Sequence, residues 1–345
     1  MSGFASDNFA GVHPEVLEAI ARANEGHAPA YGYDGWTKRA EEVFRRHFGP
    51  TARAYPVFNG SAANVLALAA TCETWQSAIC TETAHLQVDE CGAPERMAGV
   101  KLVPVATEHG KLDPDAVAAR ITRIGDQHAS QPRVVTISQA SELGTVYTPE
   151  EVAVIAELAH DNGLLLHVDG ARLANAAAHL GASLGEITTE AGVDVVSFGG
   201  TKNGMLLGEA VVFINPEIGG RFEFTRKQLG QLASKMRYLS AQLEALLEGD
   251  LWLRSGTHAN AMATRLADAV SGLDGIEIVH PVEANGVFPR IPGEVAERLL
   301  ARHGEEFPFY PWPYEPGLYR WMCAWDTTEE DVDRFAAAVE QALGG

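Results

Sequence analysis

Short apolar runs alternate with amphipathic stretches between about residue 54 and residue 215 of the chain. Each run has the length of a strand rather than that of a helix, and several are rich in β-branched residues. The seven strand candidates are 54–58, 77–82, 100–106, 133–138, 164–168, 193–198 and 209–214. This alternation predicts an α/β fold with a mostly parallel sheet and helices on both of its faces.

Two helices in this part of the chain have clear sequence signals. Residues 149–162 have Pro149 in the first turn, carry apolar residues at helical spacing and end at Gly163. Residues 221–247 are rich in Gln, Lys, Leu and Ala and contain no proline. This composition predicts one long connecting helix, although Gly230 lies inside it.

After about residue 255 the pattern becomes that of a small α+β unit. A helix is followed by strands at 275–280 and 286–291, a helix at 293–303, a strand at 317–325 and a helix at 328–343. Such a mixture is typical of a small domain packed beside a larger sheet. We therefore predict a large domain of residues 1–250, which includes the N-terminal segment and the connecting helix, and a small C-terminal domain of residues 251–345.

The net charge of the chain argues against some classes of binding partner. Lys and Arg total 26 against 46 Asp and Glu, for a formal net charge of −20 over 345 residues. The resulting field repels phosphate backbones and anionic lipid headgroups, which argues against nucleic acid and membrane surfaces. The start of the chain has neither a basic region nor an apolar signal region, and no apolar run has the length of a membrane span. The expected location is therefore the cytoplasm.

Four cysteines are spaced irregularly, and none forms a C-x-x-C pair. They are Cys72, Cys80, Cys91 and Cys323. We interpret them as reduced structural thiols, and their spacing does not support a zinc site.

The strongest candidate for chemistry is Lys202, in the segment VDVVSFGGTKNG at residues 193–204. A buried strand here ends in glycines and presents a lysine at its carboxyl end, where α/β sheets bind ligands. Small and apolar neighbours remove water from the amine, which lowers its pKa and favours Schiff-base chemistry. The plainer interpretation is a solvated loop lysine.

A second apolar strand, LLLHVDGAR at residues 164–172, ends in Asp169. A carboxylate in this position can keep a pyridine nitrogen protonated, and such a ring accepts electrons from a carbanion. Arg172 offers a planar fork suited to a substrate carboxylate. An ordinary surface ion pair is the alternative interpretation.

Two weaker signals lie closer to the N-terminus. Gly60 and Ser61 connect a strand to a helix over 61–72, whose first N–H groups form a potential anion site, or simply a helix cap. His85 follows the strand at 77–82, where an imidazole can stack on a flat ring and transfer protons, although a lone histidine is more often structural.

Taken together, these residues resemble the low-specificity L-threonine aldolase family of pyridoxal-phosphate enzymes, which have the aspartate-aminotransferase type of fold (fold type I). The match follows the family's order from residue 6 to residue 320 and so covers essentially the whole chain. The matching stretches are Ser6-Asp-Asn8, Tyr31-Gly-Tyr-Asp34, Asn59 to Asn64, His85, His167 to Arg172, Ser197 to Gly204, Arg226-Lys227, Lys235-Met-Arg237 and Arg320.

The resemblance implies a role for each matching residue. Lys202 would hold pyridoxal 5'-phosphate covalently, Asp169 would contact the ring nitrogen, and His85 would stack on the ring. The cofactor phosphate would lie against Gly60, Ser61 and Ala62, with Lys235 or Arg237 reaching it from a neighbouring subunit. The amino-acid substrate would be bound by Ser6, Tyr31, Arg172 and Arg320. The implied assembly is a homotetramer, with a dimer as the minimum.

The implied reaction splits β-hydroxy-α-amino acids, such as L-threonine and L-allo-threonine, into glycine and an aldehyde. His85 and Glu142 are both candidates for the base that takes the β-hydroxyl proton. Many family members have a histidine near the position of Glu142, so this departure leaves the base and the threonine preference open. Fold and cofactor alone also allow β-elimination, transamination, transaldol transfer or a PLP-binding scaffold without turnover.

Overall fold

The computed structural model describes residues 3–344, and a seven-stranded sheet lies at its centre. The strands are β1 (Arg53–Val57), β2 (Gln76–Thr81), β3 (Lys101–Val105), β4 (Gln131–Ser138), β5 (Leu165–Gly170), β6 (Val195–Gly199) and β7 (Glu209–Phe213). Their order is β1-β7-β6-β5-β4-β2-β3, and β7 is antiparallel to both of its neighbours. All seven predicted strands are thus confirmed, and so is the mostly parallel α/β fold.

Helices cover both faces of this sheet and form most of the C-terminal part. They are α1 (Pro14–Ala23), α2 (Gly35–Phe48), α3 (Gly60–Thr71), α4 (His85–Val88), α5 (Pro114–Ala118), α6 (Pro149–Asp161), α7 (Leu173–Leu180), α8 (Phe222–Gln228), α9 (Arg237–Glu248), α10 (Leu251–Val270), α11 (Gly293–His303) and α12 (Glu329–Gly344). The helix predicted over 149–162 is confirmed as α6. It begins with a capping box between Thr148 and Glu151.

The single helix predicted over 221–247 is wrong. Helix α8 ends at Gln228, and Gly230 follows with a φ of +74°, a left-handed conformation that a helix interior does not contain. The chain then runs as a loop until α9 begins. In this loop the Gln231 side chain accepts a hydrogen bond of 3.0 Å from the backbone N–H of Phe58, just before α3. The break therefore supports the turn at which α3 begins.

The C-terminal part is α+β, as predicted, but its strands are shorter. They are β8 (Glu277–Ile278), β9 (Gly286–Val287), β10 (Pro289–Arg290), β11 (Tyr310–Pro311) and β12 (Tyr319–Met322). The segment 286–291 is interrupted at Phe288 and yields two strands that pair with different partners. Strand β11 was not predicted, because Pro311 and Pro313 are atypical of strands.

The N-terminal segment connects the core of the C-terminal part to the edge of the large sheet. Phe4 stacks on Phe335 with ring centroids 4.3 Å apart, inside the apolar cluster formed mainly by residues 262–342. Backbone hydrogen bonds join Phe4 to Pro308 and Met322. This anchoring holds the next residues, Ser6 and Asp7, near the carboxyl ends of the central strands.

No helix within residues 3–344 combines the length and the apolar character needed to cross a membrane. The four cysteines are all free, with Cys80 and Cys323 buried and Cys91 exposed.

Candidate active site

The carboxyl ends of β4, β5 and β6 form one wall of a cavity. The strands are parallel, and their register aligns Ser138 with Asp169 and Asp169 with Ser197. Directly after β6, a short 3₁₀ turn at Thr201–Asn203 carries Lys202 into the same region. The topology therefore brings together segments that are far apart in the sequence, as it does in other open α/β sheets.

Two adjoining cavities of about 190 and 230 Å³ share seven of their lining residues. Most of the residues proposed from the sequence line one or both of them: Ser6, Gly60, Ser61, His85, Glu142, Asp169, Arg172, Lys202 and Arg320. Ala62 lines a separate groove beside α3. Tyr31, Lys235 and Arg237 are not among the residues that line these cavities.

Lys202 lies on a tightly packed turn. A Cβ atom at Gly199 would collide with the backbone of Ala171, so only glycine allows this approach of the two strand ends. Burial and the positive charge of Arg172 lower the pKa of Lys202, and the nearby Asp7 opposes this effect. A lowered pKa increases the fraction of free amine, which is the nucleophilic form.

The carboxylate of Asp169 is buried and oriented by two donors. The Asn64 side-chain amide donates to Oδ2 at 2.8 Å, and the backbone N–H of Ala171 donates to Oδ1 at 3.0 Å. On the same strand, His167 Nε2 lies 2.9 Å from the Ser197 hydroxyl. Asp169 thus presents a fixed carboxylate to the cavity that also contains Lys202.

His85 is held at two points. Its backbone N–H donates to Glu142 Oε1 at 2.9 Å, and its ring Nδ1 lies 3.0 Å from Glu90 Oε1. The hydrogen bond to Glu90 raises the pKa of His85, while burial partly opposes it. Glu90 was not among the residues selected from the sequence.

Glu142 has one occupied oxygen and one without a partner. The Ser138 hydroxyl donates to Oε1 at 2.6 Å, and Oε2 is buried without a hydrogen bond in the described structure. Burial raises the pKa of this carboxyl, and the hydrogen bond from Ser138 partly offsets the rise. A carboxyl with a raised pKa binds a proton more readily than an exposed one does.

Arg172 makes a bidentate pair with Asp7, which the sequence reasoning missed. Arg172 Nε donates to Oδ2 at 2.7 Å and Nη2 to Oδ1 at 3.0 Å, and Asn285 donates to Oδ2 at 3.0 Å. Burial alone would raise the pKa of Asp7, but the charges of Arg172 and Lys202 lower it to about 2. The signal available in the sequence was the place of Asp7 in the matching Ser6-Asp-Asn8 stretch.

Arg320 approaches the cavity from β12. Its Nη2 donates to the backbone carbonyl of Ala5 at 3.3 Å, and its guanidinium lies 5.8 Å from the centre of the Trp312 ring. Burial and the charge of Arg172 lower the pKa of Arg320. Two arginines of like charge on one cavity form a strong anion site.

Glu209 is a second missed residue. It is buried on the first position of β7, lines the cavity with Lys202 and accepts a hydrogen bond from the backbone N–H of Gly200. Burial raises its pKa to about 7, although that hydrogen bond favours the charged form. An acid at the start of the apolar run EAVVF was the available signal.

The start of α3 fits a phosphate. Asn59 caps the helix by accepting the N–H of Ala62 at 2.9 Å, whereas the N–H groups of Gly60 and Ser61 have no acceptor in the described part of the chain. No atom lies within 4 Å of the position of a Cβ on Gly60, so an anion can approach closely. With a lysine, a fixed carboxylate and an imidazole on the same cavity, these residues suit pyridoxal phosphate.

Tyr31, Lys235 and Arg237 lie together on the surface. The Tyr31 backbone N–H donates to Ser234 at 2.9 Å, and Arg237 donates to the carbonyl of Gly26 at 3.1 Å. The side chains of Tyr31 and Lys235 are exposed. These three residues form the Tyr31 surface.

Comparison with known proteins identifies relatives over nearly the whole chain. The beta-eliminating lyase family model matches residues 3–292. The low-specificity L-threonine aldolase of Pseudomonas aeruginosa is 47% identical, over 99% of this chain and 98% of its own. That of a second Pseudomonas strain is 46% identical, over 99% and 97%. A solved threonine aldolase from Leishmania major is 28% identical with a TM-score of 0.92, over 99% of this chain and all (100%) of its own.

The fold defines the class of fold type I enzymes, which use pyridoxal phosphate. Within this class, the chain belongs to the low-specificity L-threonine aldolase family, a group of carbon–carbon lyases. The resemblance inferred from the sequence is confirmed.

Proposed function

We propose that this enzyme cleaves L-threonine, L-allo-threonine and other β-hydroxy-α-amino acids to glycine and an aldehyde. One observation carries the proposal: a buried lysine, a fixed carboxylate, an imidazole and two arginines line adjoining cavities in a member of this family. The lysine and carboxylate suit the cofactor, and the arginines suit the carboxylate of an amino acid.

In this proposal Lys202 holds pyridoxal phosphate, and the amide groups of Gly60 and Ser61 bind its phosphate. When bound, the cofactor supplies an electron sink for the carbon–carbon bond that breaks. Asp169 would keep the ring nitrogen protonated, because its carboxylate is oriented by Asn64 and screened from water. His85, on the same cavity, would hold the ring.

Ser6, Arg172 and Arg320 bind the α-carboxylate of the substrate. Asp7 occupies two N–H groups of Arg172 and so fixes the plane of the guanidinium before the substrate arrives. A preformed clamp lowers the entropic cost of orienting the bond between Cα and Cβ. The Trp312 ring lies against the Arg320 guanidinium and supports it.

The base that takes the β-hydroxyl proton is Glu142 or His85. Glu142 has an unpartnered oxygen and a raised pKa, which supports a role in taking up a proton. His85 has its ring Nδ1 against Glu90, which leaves Nε2 for the substrate or a water. A Glu142→Gln variant separates the two, because it retains the bond to Ser138 but cannot accept the proton.

The Tyr31 surface supports a shared active site. In a homotetramer or dimer, Tyr31 and either Lys235 or Arg237 would complete the substrate and phosphate sites of a neighbouring subunit. Sizing at two protein concentrations tests this assembly. A stable monomer with full activity would exclude it.

The first experiment compares wild type with Lys202→Ala, using Lys101→Ala on the exposed edge strand as the control. We expect a visible cofactor band and acetaldehyde release from threonine in wild type and Lys101→Ala only. Ammonia with 2-oxobutyrate in place of glycine with acetaldehyde would indicate β-elimination. A visible band that does not depend on Lys202 would refute the cofactor assignment.

A further inference from the structure

Glu90 is a buried acid at the centre of a hydrogen-bond network that joins two residues of the site. Its side chain is fully buried, and Oε1 lies 2.9 Å from the Asn64 amide and 3.0 Å from His85 Nδ1. The same Asn64 amide nitrogen donates to Asp169 at 2.8 Å. Glu90 itself does not line the cavities that contain Lys202.

Burial of this carboxyl is costly and needs an explanation. A buried acid without full partners destabilises a fold, and Glu90 Oε2 has no hydrogen bond within the described structure. Both of the partners of Oε1 belong to the site, and no lysine or arginine forms an ion pair with Glu90 within residues 3–344. A purely structural role would be served as well by a neutral Gln of similar size.

The charge of Glu90 matters most to His85. The charged or titratable groups that act on this imidazole are Glu90, Asp169 and Lys202, while Glu142 accepts the backbone N–H of His85. Among these groups, Glu90 makes the only hydrogen bond to the ring that is found in residues 3–344. Burial raises the pKa of Glu90, and the hydrogen bonds from His85 and Asn64 oppose the rise by favouring the carboxylate. As a carboxylate, Glu90 fixes the proton on Nδ1 of His85 and leaves Nε2 as the nitrogen that can face a ligand.

We propose that Glu90 is a positioning residue that sets the orientation and the proton position of His85 and, through Asn64, restrains the carboxylate of Asp169. This proposal deepens the proposed function, since it assigns to one buried acid the control of both the residue on the ring face and the residue at the ring nitrogen. Glu90 itself makes no contact with substrate.

The test compares Glu90→Gln and Glu90→Asp with the control Glu95→Gln, which removes an exposed acid nearby. Histidine hydrogen–deuterium exchange, read by mass spectrometry on the holoenzyme, gives the titration of each histidine separately. We expect Glu90→Gln to move the His85 transition to lower pH by about one unit or more. His160, which pairs with Asp194 at 2.8 Å, serves as an internal reference and should not move.

Activity and absorbance provide two further readouts. Glu90→Gln retains an oxygen that can accept a hydrogen bond from His85 but loses the negative charge, so kcat of this variant should fall about 10- to 100-fold, with a smaller change in KM. Glu90→Asp retains the charge and should keep the pH profile closer to wild type. The pH at which the cofactor band changes should shift more in Glu90→Gln than in Glu90→Asp.

An unchanged His85 transition in Glu90→Gln would overturn the proposal, even if activity falls. If Glu90→Gln fails to fold, Glu90→Asp provides the test. We expect the shorter carboxylate of Glu90→Asp to move the His85 transition measurably. If Glu90 has only a structural role, the transition should stay at the wild-type pH in this variant. The exchange measurement does not depend on turnover. Failure of the proposed reaction in wild type is therefore distinguishable from failure of this inference.

Discussion

The buried pair between Asp7 and Arg172 allows a quantitative prediction. Asp7→Asn removes one charge and leaves the Arg172 guanidinium, with a side-chain exposure of 14%, without its hydrogen-bonded counter-ion. Breaking a buried pair by removing one partner costs about 3–5 kcal/mol. We expect the free energy of unfolding to fall by that amount, and KM to rise because the Arg172 fork loses its fixed plane.

A matched control exists on the surface. Arg265 and Asp333 form a bidentate pair of similar geometry, with both bonds at 2.8 Å, but their side chains are 41% and 56% exposed. Asp333→Asn should change the free energy of unfolding much less than Asp7→Asn does, since water screens exposed pairs. Urea unfolding at one fixed protein concentration measures both variants.

The pH dependence of the free energy of unfolding shows in which pH range the pair between Asp7 and Arg172 stabilises the fold. The pKa of Asp7 is lowered to about 2 from an ordinary 3.8, so the pair stabilises the fold above the ordinary value. This contribution is lost as pH falls through about 2. Equal losses for Asp7→Asn and Asp333→Asn at neutral pH would refute the reasoning, because they would show that burial does not strengthen the pair.

Three other predictions concern Glu209, Trp312 and Gly199. The pKa of Glu209 is raised from 4.5 to about 7, so the fold favours the neutral form and loses stability as pH rises between these values. The free energy of unfolding of Glu209→Gln should therefore gain up to about 3 kcal/mol relative to wild type between pH 5 and pH 8. Urea unfolding at each pH measures this difference. Trp312→Ala should raise KM for threonine more than it lowers kcat in steady-state assays, because Arg320 loses its ring support. Gly199→Ala should abolish the visible cofactor band, because its Cβ would collide with the backbone of Ala171; an unchanged spectrum would contradict the packing argument.

The central fold could be predicted from the sequence because local pattern and tertiary structure agree there. Each buried parallel strand is an apolar run between turn signals, and such runs require no knowledge of distant residues. The segment 221–247 differs, since its composition favours a helix throughout. Gly230 ends the helix there, and a composition average over the window does not register one glycine.

The residues of the candidate site also differ in how well the sequence predicts them. Lys202 and Asp169 could be found because each follows an apolar strand, and parallel topology brings strand ends together. Asp7, Glu90 and Glu209 have much weaker signals in the sequence, because their importance lies in their contacts. Asp7 and Arg172 are separated by 165 positions in the chain, and no local pattern encodes that pairing.

The acids of the site fall into two groups with different chemistry. Asp7 is charged and paired, and it holds Arg172 in place. Burial raises the pKa of Glu142, and it raises the pKa of Glu209 to about 7, so it favours the protonated form of both. A reaction that removes a proton from a hydroxyl group and returns one to Cα needs acids of the second kind, because a carboxylate fixed in its charged state cannot deliver a proton. The surroundings of each carboxylate, rather than its residue type, therefore decide whether it binds or exchanges protons.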